Sequence, residues 1–416
     1  MHVLSGRVFY RGRLEPLSVG IEEGRIVAIK KTLAAREAED HGDALILPGC
    51  VDIHVHLRDP GLTEKEDFAH GTASAAIGGV TTIVDMPNTR PPVTSRLALE
   101  KKIASVKHRA AVDYGLYSAP RNAAAVDSLR SALAFKVYMA ESTGGLQVED
   151  DVLPEILRAA GEARRVLVAH AEDGHLFGKS VPATLADHAA VRPKEAEVSA
   201  VRTLARLRTN EPVHVAHVTC VEALDAVPAG VTTEVTPHHL LLDYTRPLKA
   251  FGKVNPPLRS REDRDALWDA FAKGRVDVVA SDHAPHTQEE KSVTFKEAPA
   301  GLPGVATSFP LLLRLAKAEK TSLERVVDAM ATRPARILGL EKGAIEVGRD
   351  ADLLVVDPRE ISKVTAKRVR YKCGWTPFEG MEACFPRAVY LRGEKIVEGG
   401  EPVAEGLGRL IPPRDL

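Results

Sequence analysis

The sequence predicts an α/β fold, a (β/α)8 TIM-like barrel with a small β-sandwich formed from both chain ends, and three observations predict it. Between residues 49 and 339, short Val/Ile-rich runs alternate with amphipathic stretches eight times, and runs of that length and content read as buried parallel strands. Five of these runs carry a metal-binding or acid-base group at the downstream end, as expected where the C-terminal strand ends of a barrel converge on one mouth. Strand patterns without intervening helices flank this region on both sides, over residues 1–48 and 340–416.

Taken in order, the first 48 residues read as short strands at 8–10, 17–21 and 24–29, the last after a Glu22-Glu23-Gly24 turn signal. So few strands do not stand alone. Barrel strands are expected near 51–56, 80–86, 112–117, 133–138, 165–170, 213–218, 231–236 and 276–282, with helices at 97–107, 153–163, 195–208 and 261–272 among the connections. Eight strand-helix units indicate a closed barrel more than an open sheet. Strand patterning returns at 348–357 and 387–393, so the economical arrangement joins both ends in one sandwich: residues 1–48 and 340–416 beside a barrel of 49–339.

A chain of 416 residues outgrows one small core and suits a barrel with an accessory unit. The formal net charge of -1 gives no electrostatic footprint for nucleic acid. The opening Met1-His2-Val3-Leu4-Ser5-Gly6-Arg7 lacks the apolar core of a signal peptide, and no uninterrupted apolar segment nears membrane-spanning length, so a cytoplasmic location is expected. Cys50, Cys220, Cys373 and Cys384 form no CxxC pair and read as buried thiols.

The strand ends describe a polynuclear metal site. His54 and His56 lie two apart on a strand, so their imidazoles leave the same face and can bind one ion. His170 and His217 each close an apolar run, as ligands of a second ion would, and Asp282 in Ser281-Asp282-His283-Ala284-Pro285-His286 reads as ligand or general base. Taken singly, each histidine could equally be a structural residue bonded to a carbonyl; the five strand ends together favour metal. Lys136, in Phe135-Lys136-Val137-Tyr138, would repel two dications as an ammonium of pKa about 10.4. Carboxylated by CO2 it becomes an anion whose two oxygens can bridge metals roughly 3.5–4 Å apart. The alternatives are a lysine that snorkels to solvent and a bridge supplied by Glu141.

These residues resemble the binuclear amidohydrolase superfamily: Asp52-Ile53-His54-Val55-His56, a fourth-strand lysine, two further strand-end histidines and a last-strand aspartate. Three longer stretches resemble the dihydroorotase family within it: His56-Leu57-Arg58-Asp59-Pro60-Gly61 running to Glu66-Asp67-Phe68, Asp85-Met86-Pro87-Asn88-Thr89-Arg90-Pro91-Pro92, and Ser281 to His286 with Glu290-Lys291. Lys253-Val254-Asn255-Pro256-Pro257-Leu258-Arg259 and Trp375-Thr376-Pro377-Phe378-Glu379-Gly380 are similar to that family too, so the likeness covers effectively the whole chain. HxH belongs to the entire superfamily; Arg58 directly behind it and the MPNTRPP segment are much more specific.

The resemblance implies reversible cyclisation of N-carbamoyl-L-aspartate to L-dihydroorotate plus water by a metal-bound hydroxide, in pyrimidine biosynthesis. It implies two zinc ions, one on His54 and His56 with Asp282, the other on His170 and His217, bridged by carboxylated Lys136. Asp282 is then the catalytic acid-base. Arg58 offers a planar five-donor fork for the substrate carboxylate, with Asn88 and His286 as further donors to it, and Asn255 contacts the ring. Expected partners are the small-molecule substrate, a second copy in a homodimer, and aspartate transcarbamoylase. Some family members carry an aspartate at the bridging position, where this chain has Lys136. His238 and His239 read as structural or supporting, and His283 should point away from Asp282 by strand alternation. The competing functions are another cyclic-amide hydrolase, an allantoinase or hydantoinase, which lacks an arginine directly after HxH, and an inactive scaffold for aspartate transcarbamoylase, which should have lost ligands.

Overall fold

A computed structural model describes residues 1–141 and 145–413. Eight strands, Cys50–Val55, Val80–Asp85, Asp113–Ser118, Ala134–Tyr138, Leu167–His170, Val213–Val215, Thr232–Val235 and Val278–Val279, pair in sequence order, and every pairing is parallel. The ring closes from the eighth strand to the first: His56 N donates to His283 O at 2.7 Å, and Val55 bridges His283. The barrel expected from the eight-fold alternation is therefore present. Several strands end sooner than the apolar runs suggest, because His217 and Asp282 leave the ladder with positive φ, 39° and 43°.

The helices follow their sequence signals closely. Arg96–Val106 and Arg261–Ala272 each begin after a serine, Ser95 or Ser260, whose side chain accepts from a backbone N–H of the first turn. Leu153–Glu162 carries proline in its first turn, where no donor is lost, and buries Leu153, Ile156, Leu157 and Ala160 at helical spacing. Lys194–Leu207 does likewise with Ala196, Ala200, Val201 and Leu204.

The chain ends build one further eight-stranded sheet, in the order Glu401–Pro402, Glu394–Glu398, Ala388–Leu391, Leu353–Val356, Glu37–Pro48, His2–Tyr10, Arg13–Glu22, Arg25–Lys30. Glu37–Pro48 unites the halves, parallel to His2–Tyr10 and antiparallel to Leu353–Val356. It was absent from the expected strands because its first half, Glu37-Ala38-Glu39-Asp40-His41-Gly42-Asp43, is polar and partly exposed and shows no apolar pattern. The sheet curls: its edge strand meets the segment entering Leu353, with Ile26 N donating to Arg349 O and Ala351 N to Gly24 O, both at 2.9 Å. Leu4, Val8, Val19, Ile46, Leu353 and Tyr390 fill the core inside the curl.

Two links tie this sheet to the barrel. Lys342, 5% exposed, contacts Asp113 at the start of the third barrel strand at 2.8 Å and Asp352 at 2.7 Å. Farther on, Trp375 Nε1 donates to His286 O at 2.8 Å and Lys372 Nζ to Asp67 at 2.7 Å, bringing the C-terminal segment to the barrel mouth. No helix among the described residues is long and apolar enough to cross a membrane.

Candidate metal centre and anion pocket

His54, His56 and Asp282 offer ligand atoms that lie within 4.8 Å of one another, all buried. Asp282 Oδ1 is 3.3 Å from His54 Nε2 and 3.1 Å from His56 Nε2. The opposite ring nitrogens are held from behind: His54 Nδ1 meets Glu234, and His56 Nδ1 meets Asn88 Oδ1 at 2.6 Å. Donation to these oxygens leaves both Nε2 lone pairs facing Asp282, the tautomer a cation needs. Burial raises the Asp282 carboxyl, but His54, His56 and His238 outweigh it and hold the group well below the usual carboxylate range. Burial brings His56 down to about 4. Asp52 locks the first strand to the eighth, accepting from Ser281 N at 3.1 Å and His54 N at 3.2 Å.

His170 and His217 meet next to this group, with His170 Nδ1 2.9 Å from His217 Nε2. His170 Nε2 faces Glu172 at 2.7 Å, and Arg192 grips that carboxylate with Nε at 3.1 Å and Nη2 at 2.5 Å. Burial lowers both histidines, keeping them neutral. The His54 and His217 ring centroids are 5.4 Å apart, so the two donor groups are adjacent. Lys136 is 1% exposed and its Nζ has no hydrogen-bond partner among the described residues. Burial, opposed by Glu234 and Asp282, brings its ammonium down to about 8. A neutral amine is the form that adds CO2, so the orphaned Nζ and the converging imidazoles fit a carbamate-bridged cation pair. Glu141 is exposed, whereas Lys136 is interior.

The anion pocket is built on the loop after the first strand. Arg58, 3% exposed, sits at φ 62°, a conformation that costs of order 1–3 kcal/mol for a non-glycine residue and persists only where its surroundings enforce it. Its Nε donates to Pro285 O at 3.1 Å and Nη2 to His286 Nε2 at 3.2 Å, and Nη1 has no acceptor among the described residues. His286 Nε2 is also 3.2 Å from Ala300 O, a contact that replaces the one to Arg58 when Nε2 carries the proton. Asn88 spends its Oδ1 on His56 and keeps its amide NH2. Asn255 lies against the loop after the fifth strand, accepting from His188 Nε2 at 2.8 Å.

Of the remaining histidines, His283 accepts from Gly304 N at 3.1 Å and faces Glu66, turned from Asp282, and His239 bonds Thr236 and Pro256 O. His238 Nε2 is buried without a partner. The sequence reading missed Glu234, Glu172 and Arg192. Glu234 accepts from His54, from His214 Nε2 at 3.1 Å and from His217 N at 3.2 Å, tying three strands together. The available signal was a carboxylate inside a barrel strand, Thr232-Thr233-Glu234-Val235, and an acid two residues beyond His170.

The amidohydrolase family model matches residues 45–394. A dihydroorotase of Halobacterium salinarum is 40% identical over 96% of this chain and 97% of its own length, and one of Methanosarcina acetivorans 37% over 95% and 91%. Among solved structures, the L-hydantoinase (dihydropyrimidinase) of Arthrobacter aurescens superposes with a TM-score of 0.93 at 29% identity, over 99% of both chains.

Proposed function

The chain belongs to the amidohydrolase family, and within it to the dihydroorotases, and from that premise we propose how its residues interconvert N-carbamoyl-L-aspartate and L-dihydroorotate. The observation that carries the reading is Arg58: a buried guanidinium with an unspent Nη1 edge, two residues past His56 and braced from the loop that bears Asp282. A ring carrying one carboxylate needs such a fork beside the reacting amide; an uncharged hydantoin does not. The Asn88 amide and His286 supply further donors to that carboxylate.

His54, His56 and Asp282 would hold one zinc ion and His170 and His217 a second, with carboxylated Lys136 between them. When bound, such a pair supplies Lewis-acid activation of a water and of the amide carbonyl. In ring opening the water oxygen bonds the carbonyl carbon, the ring C–N bond breaks, and Asp282 takes the water proton and delivers it to the departing nitrogen. Ring closure runs the same proton through Asp282 in reverse. The depressed carboxyl keeps Asp282 ionised, as a base must be, across the neutral range. Dimerisation and binding to aspartate transcarbamoylase are proposed on family resemblance, and a cytoplasmic location and the partition at residues 48 and 339 on the sequence pattern.

The test is Arg58→Met assayed on dihydroorotate and on hydantoin. Metal content should persist while kcat/KM for dihydroorotate falls at least 100-fold, a loss of about 2.7 kcal/mol or more. Near-parental kinetics would remove the substrate assignment. Parental turnover of hydantoin exceeding that of dihydroorotate would favour the hydantoinase reading, which the Arthrobacter aurescens likeness keeps in view.

A further inference from the structure

Tyr138 ends the fourth barrel strand, and nothing in the chemistry above uses it. Register pairs Lys136 with Val168 and Tyr138 with His170, so Tyr138 shares the inward face that carries Lys136 and His170. Its ring centroid is 5.9 Å from that of His170 and 5.3 Å from Lys136 Nζ. Ala119 and Leu146 wall the apolar side of the ring. The phenol is 3% exposed, its oxygen is sealed from solvent, and that oxygen has no hydrogen-bond partner among the described residues. The charges that act on it are those of Asp282, Arg58 and Asp85, the groups of the anion pocket and the proposed acid-base.

A buried hydroxyl without a partner costs about 1–3 kcal/mol, and phenylalanine would fill the same space without that penalty. Among the described residues, Lys136 Nζ, His238 Nε2 and Tyr138 Oη are buried polar atoms of this mouth without partners. The carbamate accounts for the first, and His238 is acted on by Asp282 and His54 of the first metal group. Tyr138 Oη is the orphan on the ring that lies beside Lys136 Nζ and His170.

We propose that Tyr138 is a substrate-binding residue whose hydroxyl donates a hydrogen bond to a carboxylate or ring oxygen of the substrate. This rests on the dihydroorotase reading. The hydroxyl is held ready at the expense of stability and satisfied when substrate arrives, so it contributes in the complex what it costs in the free protein. Side chains around the sealed oxygen must shift as substrate enters.

The test is Tyr138→Phe, purified with its metals and compared with the parent in three measurements. Metal content should be unchanged. The Tm should stay equal or rise, because the variant loses a penalty and no bond. KM for dihydroorotate should rise 10-fold or more. A structural tyrosine with a hidden partner would instead lower Tm, and that result overturns the proposal; so does an unchanged kcat/KM. If the parent itself fails to turn over dihydroorotate, the function is what falls. In a parent that does turn it over, an indifferent Tyr138→Phe variant refutes only the role of Tyr138.

Discussion

A lysine ammonium that is 1% exposed and makes no hydrogen bond would normally cost several kcal/mol to keep charged, and every alternative open to Lys136 must remove that charge. Deprotonation does so in part, and carboxylation does so fully while adding the anion that four neutral imidazoles and one carboxylate need opposite two dications. Lys136→Ala should therefore lose both activity and one equivalent or more of metal by elemental analysis. Acetate or propionate, sized for the gap, should restore part of the rate. Metal-stripped parent should likewise recover with zinc only when bicarbonate is present. Full recovery without a CO2 source, together with an unaffected Lys136→Ala variant, would hand the bridge to Glu141. Individual residues were legible wherever their chemistry was unusual for their place, as with Arg58 after HxH. They were illegible where the role depends on partners far along the chain, as with Glu234 behind His54 and Arg192 on Glu172.

At the scale of elements, the seventh strand does more than its sequence suggests. Thr232–Val235 is four residues long, and its Glu234 supports His54 of the first strand and the His217 amide beyond the sixth. Losing such a ligand support typically costs 10–100-fold in metal affinity. Glu234→Gln should show a loss of that order in chelator competition, with dichroism of the folded barrel retained; metal affinity equal to the parent would mean His54 needs no partner behind it. Apolar periodicity located the barrel strands and the helices, because burial is what periodicity records. It failed for Glu37–Pro48, whose outer half is polar, and for the strand ends at His217 and Asp282, where positive φ takes the backbone out of the ladder although the residues upstream remain Val-rich. That departure is functional in form: a side chain leaving a strand with φ 39° or 43° turns across the mouth instead of along the sheet.

Across the whole molecule, buried charge sets how stability responds to pH. A polar chain crosses the barrel wall from Glu197 to Thr219, Arg259, the Arg192 carbonyl, Glu172 and His170, linking three loops to the second donor group. Burial pushes the Glu197 carboxyl up to about 7, against the pull of Arg259 and Thr219, while His188 and His286 are pushed down by burial to about 4 and about 3. The signs differ. The histidines are neutral in the fold and take up protons on unfolding below their ordinary value near 6.5, so their contribution is present above that pH and is lost as pH falls towards 4 and below. Glu197, raised in the fold, contributes fully below its ordinary value near 4.5 and loses that contribution as pH rises through 7. The histidine gain and the Glu197 loss therefore overlap between about pH 4.5 and 6.5, and the Glu197 loss is complete just above 7. Glu197→Gln, which cannot ionise, should remove that loss: its Tm relative to the parent should be several degrees higher at pH 8.5 than at pH 5, read by thermal unfolding across that range. A difference that does not grow with pH would mean Glu197 remains an ordinary ionised partner of Arg259, and that the crossing chain is held by ion pairing rather than by a shared proton.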